Sequence, residues 1–153
     1  MPKTECGFSD TVTGVSGSGL LINQGPTLRV DVGFDPTWKL AFGTFPIAGI
    51  NDVEALVDTG ATESCIDDLL ASKLVLPIID KRKICGSSGE HEVNVYLAQI
   101  RIPSLNFVVY GAFAGVALAA GGQRHQVLMG RTFLSKFKMI YDGVSGRVTI
   151  SSD

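Results

Sequence analysis

The amino-acid sequence predicts an all-β domain with one or two short helices. Thr27 to Phe34 alternates apolar and polar residues at a period of two, which is typical of a half-buried strand. The 18 glycines favour turns between short strands. The best helix candidate is Asp67 to Leu74, because acidic residues lie at its start and a lysine near its end. At 153 residues the chain is long enough for one domain with its own hydrophobic core.

The first 23 residues are expected to form a flexible arm, and residues 24–153 the folded domain. The arm is rich in Gly, Ser and Thr and has little periodicity. After the strand at Thr27 to Phe34, a second strand is expected at about Phe45 to Ile50 and a turn at Gly49 to Asp52. Glu54 to Val57 is then expected as a short buried strand.

The second half of the chain predicts two hairpins. Ile84 to Ile102 is expected as a long hairpin, because Gly86-Ser87-Ser88-Gly89 separates an apolar strand from an alternating one. Val127 to Met129 reads as a strand, followed by a helical turn through Thr132 to Phe137. Lys138 to Tyr141 and Arg147 to Ser151 are expected to pair as a terminal hairpin.

The uncharged stretch from Ile102 to Gln123 allows two interpretations. One is a membrane span, since Gly111 to Gly115 matches a small-xxx-small helix-pairing pattern. The other is a pair of buried strands. Pro103 at the start and Gly121-Gly122 at the end leave an apolar run shorter than the ~20 residues that a bilayer requires, so buried strands are favoured and a membrane partner is not expected.

Charge and cysteine content exclude several classes of protein. A net charge of -2 gives no basic surface for phosphate groups, so nucleic acid is not expected as a partner. Three cysteines without CxxC spacing favour neither a disulfide framework nor a zinc site. No apolar secretory segment follows the start of the chain, and cytoplasmic residence is therefore predicted.

One carboxylate stands out as a candidate catalytic group. Asp58 follows a buried apolar strand and begins Asp58-Thr59-Gly60, an arrangement that is costly unless the carboxylate is paired or used. The tripeptide alone favours a turn in which Asp58 hydrogen-bonds its own backbone and Gly60 supplies a positive φ. The wider context has to decide between these two interpretations.

That context resembles the retropepsin-like aspartic protease family, of the bacterial or cellular type rather than the viral type. The resemblance rests on Ala55 to Thr62, an apolar strand that leads into DTGA, and on Val127 to Leu134, an apolar strand that leads into Gly-Arg-x-x-Leu about seventy residues later. It implies a closed β-barrel-like subunit that works as a homodimer and hydrolyses extended, mostly apolar peptide segments without a metal or cofactor. The alternative is a catalytically silent dimeric module of the same fold that binds a peptide or protein.

The resemblance also assigns roles to individual residues. Asp58 supplies one carboxylate of a dyad, Thr59 bonds across the subunits, Gly60 admits substrate, and Ala61 borders the subsites. The hairpin tip forms a flap over the substrate, with Ile84, Gly86, Ser87, Ser88 and Gly89 as the expected contacts.

Gly130 and Arg131 are implied as structural support for the catalytic loop. Viral members carry an acidic residue directly after DTGA, whereas Thr62 occupies that position here, so the partner of Arg131 stays open. His91 and His125 lie in loop-like contexts without acidic residues at ligand spacing, and surface positions are expected for both.

Overall fold

Strands make up most of the chain in a computed structural model that describes residues 2–41, 43–86 and 89–152. The strands are β1 Lys3–Glu5, β2 Thr27–Gly33, β3 Ile50–Val57, β4 Cys65–Asp67, β5 Ile78–Gly86, β6 Gly89–Ile102, β7 Phe107–Val116, β8 Val127–Met129, β9 Lys138–Asp142 and β10 Arg147–Ser151. The helices are α1 Gly17–Gln24, α2 Asp68–Lys73 and α3 Arg131–Leu134, with a 3-10 turn at Pro103–Leu105. The predicted all-β class is confirmed.

Six strands close into a barrel. They follow the order β2-β3-β8-β4-β7-β6, and β6 pairs back onto β2 to complete the ring, while β5 extends from β6 as a hairpin. The pairs β3–β8 and β4–β7 are parallel, and the other pairs of the ring are antiparallel. Closure leaves few unpaired backbone edges in this part of the molecule. The closed β-barrel expected from the family resemblance is therefore present.

The barrel core is built from the alternating apolar residues of these strands. Leu28, Val30 and Val32 of β2 are at most 2% exposed, whereas Arg29 between them faces solvent. Ile100 and Ile102 of β6 lie in the same cluster. Burial of such side chains is worth roughly 1.5–3 kcal/mol each, and this burial is the main term that holds the barrel closed.

A second sheet contains the strands β1, β10 and β9 in that order. Strand β1 and helix α1 lie in the segment that was expected to be a flexible arm. Ser16 caps α1 by accepting the Gly19 N–H, and Leu21 of the helix is buried in the core together with Cys6. Buried apolar contacts with the rest of the chain thus order a segment whose composition suggested otherwise.

Most local predictions are confirmed, and two are wrong. Helix α2 is capped by Asp67, and β5 and β6 form the long hairpin. The strand expected at Phe45 to Ile50 is absent, because regular pairing begins only at Ile50, and Pro46 offers no N–H to a ladder. The turn expected at Gly49 to Asp52 is replaced by an irregularity within β3, where Asp52 has a φ of 60°.

The uncharged stretch forms the 3-10 turn and β7, in agreement with the favoured interpretation. No helix in the described part of the chain is both long and apolar enough to cross a bilayer.

Candidate active site

Parallel pairing of β3 with β8 determines where Asp58 lies. Val57 is opposite Met129 in the register, and the Asp58 N–H donates to the Met129 carbonyl at 2.9 Å. Because the two strands run in the same direction, both end at the same edge of the barrel. Asp58, which follows β3, and Gly130, which follows β8, are therefore neighbours although they are far apart in sequence.

The loop after β3 fixes the Asp58 carboxylate through the backbone. The Gly60 N–H donates to Asp58 Oδ1 at 2.9 Å, and the Ala61 N–H donates to the Asp58 carbonyl at 3.3 Å. Asp58 is half-buried, while Thr59 and Gly60 are exposed. The turn that the tripeptide alone predicted is thus present, and it orients the carboxylate at the end of the barrel where β3 and β8 terminate.

Gly130 and Arg131 lie against the loop that follows Asp58 and contact its backbone. The Arg131 N–H donates to the Ala61 carbonyl at 2.9 Å, and its guanidinium donates to the Thr59 carbonyl at 2.8 Å and to the Thr62 hydroxyl at 2.9 Å. The partners of Arg131, left open by the sequence, are therefore the Thr59 carbonyl and the Thr62 hydroxyl. They take the place of the acidic residue that viral members carry after DTGA. Arg131 therefore ties both ends of the loop to α3.

Close approach of backbones explains why residue 130 is a glycine. A Cβ atom there would lie 2.6 Å from the Glu63 carbonyl oxygen and 2.9 Å from the Ala61 carbonyl oxygen. The Gly130 N–H also donates to the buried Ser64 hydroxyl at 3.0 Å. The loop rests directly on the backbone of residue 130, and no larger side chain fits there without displacing it.

Sequence reasoning missed the function of Asp67, which it treated only as a helix start. The buried Asp67 carboxylate caps α2 through the Leu70 N–H and also accepts the N–H groups of Leu118 and Ala119 at 3.1 and 3.2 Å. One side chain thus connects β4, α2 and the segment that precedes β8. An Asp at a strand–helix junction is a capping signal, but nothing in the sequence indicates the distant second contact.

His125 is also placed differently from the expectation. It is 1% exposed rather than at the surface, and its Nε2 lies 2.8 Å from the Thr27 hydroxyl. Burial lowers the pKa of His125, with the nearby Arg124 acting in the same direction and Glu54 opposing. His91 is exposed, as expected.

The expected flap is an antiparallel hairpin whose register pairs Ile84 with His91 and Gly86 with Gly89. Ser87 and Ser88 lie outside the described residues. Arg82 of β5 forms an ion pair with Glu63, which connects the hairpin to the loop that begins at Asp58. The hairpin is therefore in direct contact with the loop that follows Asp58.

The chemistry available at this site is that of a carboxylate. Burial raises the pKa of the Cys65 thiol, and the Glu63 and Asp58 carboxylates raise it further, so that side chain stays a neutral thiol at neutral pH. Within residues 2–41, 43–86 and 89–152, no three His, Cys, Asp or Glu side chains come together as a metal site. Of the two acidic residues in this loop, Glu63 is paired with Arg82, and Asp58 lies where β3 and β8 end.

Comparison with known proteins relates this geometry to a family. Residues 44–136 match the profile described as "gag-polyprotein putative aspartyl protease", and no curated protein matches the sequence. A retropepsin-like aspartic protease from Rickettsia conorii, known from a crystal structure, is similar in fold. Its TM-score is 0.53 at 15% sequence identity, and the match covers 97% of this chain and 90% of that one.

Two viral proteases match over a smaller part of the chain. The simian foamy virus (mac) protease has a TM-score of 0.45 at 15% identity and covers 71% of this chain and 91% of its own. The EIAV protease, solved with an inhibitor, has a TM-score of 0.44 at 18% identity, with coverages of 72% and 85%. With 97% of this chain covered, the match to the Rickettsia structure includes both the barrel and the terminal sheet.

Proposed function

This chain belongs to the gag-polyprotein aspartyl protease family, and from that premise we propose that it is an aspartic endopeptidase, active as a homodimer with one Asp58 from each subunit. The observation that carries the proposal is the position of Asp58. Asp58 is half-buried at the end of a core strand, and its carboxylate accepts the Gly60 N–H at the end of the barrel where β3 and β8 terminate. A single Asp-Thr-Gly per chain provides half of a two-carboxylate site.

Two carboxylates a few ångströms apart cannot both be ionised cheaply, so the pair holds one proton over a broad pH range. The ionised carboxylate takes a proton from a bridging water as the water oxygen attacks the scissile carbonyl, while the protonated carboxylate donates to the developing oxyanion. Proton transfer to the amide nitrogen then breaks the C–N bond and releases the amine. No metal or organic cofactor takes part.

The neighbouring residues are proposed to support this chemistry. Thr59 is exposed beside Asp58, where it can bond to the second subunit, and Gly60 and Ala61 leave room for an extended peptide. The β5–β6 hairpin is proposed to close over that peptide, with Gly86 and Gly89 as its flexible points. A preference for apolar segments follows the family resemblance.

The first test is Asp58→Asn, assayed against a diverse peptide library between about pH 4 and 7. Loss of cleavage with an unchanged melting temperature is expected, because the lost group belongs to the dyad and not to the core. Asp35→Asn is a matched control, since the Asp35 carboxylate accepts the Thr37 N–H and hydroxyl in the loop after β2. Peptide binding without cleavage by the wild type would instead support a catalytically silent binding module.

The second test addresses the shared site. If folded monomers predominate on dilution, the rate should scale with roughly the square of subunit concentration and become linear once dimers predominate. An excess of the Asp58→Asn subunit should inhibit the wild type by forming mixed dimers. Linear rates at concentrations where sedimentation shows only monomers would contradict the homodimeric mechanism.

A further inference from the structure

The first part of β7 has an unpaired strand edge. Within the described residues, positions 107–113 pair with β6 alone, because β4 begins at Cys65 and joins β7 only from Ala114 onward. In an antiparallel pair, alternate residues direct their N–H and C=O groups away from the partner strand. About half of positions 107–113 therefore present backbone donors and acceptors that no neighbouring strand in the described part of the chain uses.

A cavity of about 270 Å³ runs along this edge. Every residue from 107 to 113 lines it, together with Ser64, Thr132, Phe133 and Lys136. Successive side chains of a strand point to opposite faces, so a cavity on one face would touch only alternate residues. A cavity that touches consecutive residues therefore lies along the edge, between β7 and helix α3.

The outward face of β7 beside this edge is aromatic. Tyr110 is 54% exposed, and its ring centroid lies 6.4 Å from that of Trp38. Both residues line a second cavity with Val108 and the exposed Leu40. Because Val108 and Tyr110 also line the first cavity, the two cavities meet at β7. We call the two cavities together the β7 groove.

The side of the β7 groove formed by α3 carries a positive charge. Lys136 is exposed just after α3 and forms no ion pair with any described residue. No acidic side chain of residues 2–41, 43–86 and 89–152 lines either cavity. The groove is therefore complementary to a ligand that is apolar towards Tyr110 and anionic towards Lys136.

We propose that the β7 groove binds an extended segment of another protein in which apolar and acidic residues alternate. The backbone of that segment would continue the sheet where β4 stops and would pair with the free N–H and C=O groups of β7. With side chains at a period of two, its apolar residues would contact Tyr110 and Trp38, and its carboxylates would lie on the side of Lys136. The edge spans about 20 Å, so the bound segment has roughly five to seven residues.

Binding in the β7 groove does not require cleavage, so it can be measured separately from the proposed function. Trp38 is the only tryptophan in the sequence, and its fluorescence therefore reports on the groove. The probe is the peptide acetyl-Leu-Glu-Leu-Glu-Leu-amide, titrated into the full chain carrying Asp58→Asn so that it stays intact. We expect a saturable change in Trp38 emission. No change in emission would overturn the inference.

The first control peptides test backbone pairing. One carries N-methyl groups on both glutamates and the other on the first two numbered leucines from the carboxyl end, and only alternate N–H groups of a paired strand face its neighbour. One of the two methylated peptides should therefore bind about tenfold more weakly than the parent peptide, while the other keeps most of its affinity. Equal affinities for all three peptides would contradict pairing with the β7 edge.

Lys136→Glu tests the charge, with Lys73→Glu as the matched control. Lys73 is also exposed and without an ion pair among the described residues, but it lies in α2 and lines neither cavity. Lys136→Glu should weaken binding of the glutamate peptide about tenfold and favour acetyl-Leu-Lys-Leu-Lys-Leu-amide, whereas Lys73→Glu should change neither affinity. Equal affinities of the wild-type residue 136 for both peptides would overturn the inference.

Sedimentation distinguishes a peptide from a second copy of the chain as the occupant. If Lys136→Glu changes the self-association of the protein, a second copy occupies the groove and the inference is wrong. A wild-type chain that gives the Trp38 response but cleaves no peptide would support the β7 groove and contradict the proposed function. A protease without the Trp38 response would support the proposed function and overturn the groove.

Discussion

Substitution of Gly130 by alanine should destabilise the protein and displace the Asp58 loop. The added Cβ would lie 2.6 Å from the Glu63 carbonyl oxygen, whereas an ordinary contact is about 3.5 Å. The blocking atoms belong to backbone and cannot rotate away as a side chain would. The loop after Asp58 would therefore have to retreat by on the order of 1 Å.

The cost can be estimated from the contacts at this position. Overpacking at a buried site costs about 1–3 kcal/mol. Retreat of the loop also stretches the hydrogen bonds from the Arg131 N–H to the Ala61 carbonyl and from the Gly130 N–H to the Ser64 hydroxyl, each worth about 0.5–1.5 kcal/mol. A loss near 3 kcal/mol follows, and for a domain of this size it lowers Tm by about 6–12 °C.

Thermal and urea unfolding followed by circular dichroism would measure this loss, with Gly111→Ala as the matched control. Gly111 is also a glycine of the barrel region, but a Cβ there meets nothing within 4 Å. Gly111→Ala should be neutral or stabilise by up to about 1 kcal/mol. If both variants unfold at the same temperature, the close packing of the loop on residue 130 is not a source of stability.

Three further predictions concern the groups around the site. Arg131→Lys should lower the free energy of unfolding by about 1–2 kcal/mol and should also lower cleavage activity. An ammonium group cannot reproduce the planar contact of the guanidinium with both ends of the loop. Asp67→Ala should lower the free energy of unfolding, measured with urea, by about 2–4 kcal/mol, because buried N–H groups lose their acceptor. Because burial lowers the pKa of His125, the unfolded chain binds more protons, and stability should fall as pH drops below about 6.5.

Each of these predictions has an internal comparison. Thr62→Val removes one acceptor of the Arg131 guanidinium and should weaken the effect of Arg131→Lys in a double-mutant cycle. Asp67→Asn keeps one acceptor oxygen and should be milder than Asp67→Ala. His125→Gln should flatten the stability profile between about pH 5 and 6.5. Additive energies in the cycle would contradict the contact between Arg131 and Thr62. Equal losses of stability in Asp67→Ala and Asp67→Asn would contradict the role of the Asp67 oxygens as acceptors. A pH profile of stability that His125→Gln leaves unchanged would contradict the effect assigned to His125.

Features that depend on neighbouring residues were predictable from the sequence. The alternation in β2 and the capping residues of α2 are local patterns, and both elements form where expected. The loop at Asp58 was found because the residues that shape its turn are consecutive. The sequence also contains both partners of the β5–β6 hairpin within one continuous stretch.

Features that depend on distant contacts were not predictable. Helix α1 has neither acidic residues in its first turn nor basic ones in its last, and its order comes from the burial of Leu21 against strands that follow it. His125 is buried because Thr27, 98 residues away in sequence, supplies its hydrogen-bond partner. The partners of Arg131 include a backbone carbonyl, which no residue type can indicate.

The pairing of β3 with β8 has a consequence for the order of folding. The Asp58 loop is held by Arg131, and the contact with the Thr59 carbonyl spans 72 residues. Closing so long a segment is slow, and such non-local pairings form late in folding. During synthesis the loop cannot take its final shape until α3 has left the ribosome. A nascent chain would therefore carry Asp58 through about half of its synthesis, from residue 58 to the end of α3, before the loop around that carboxylate could assemble.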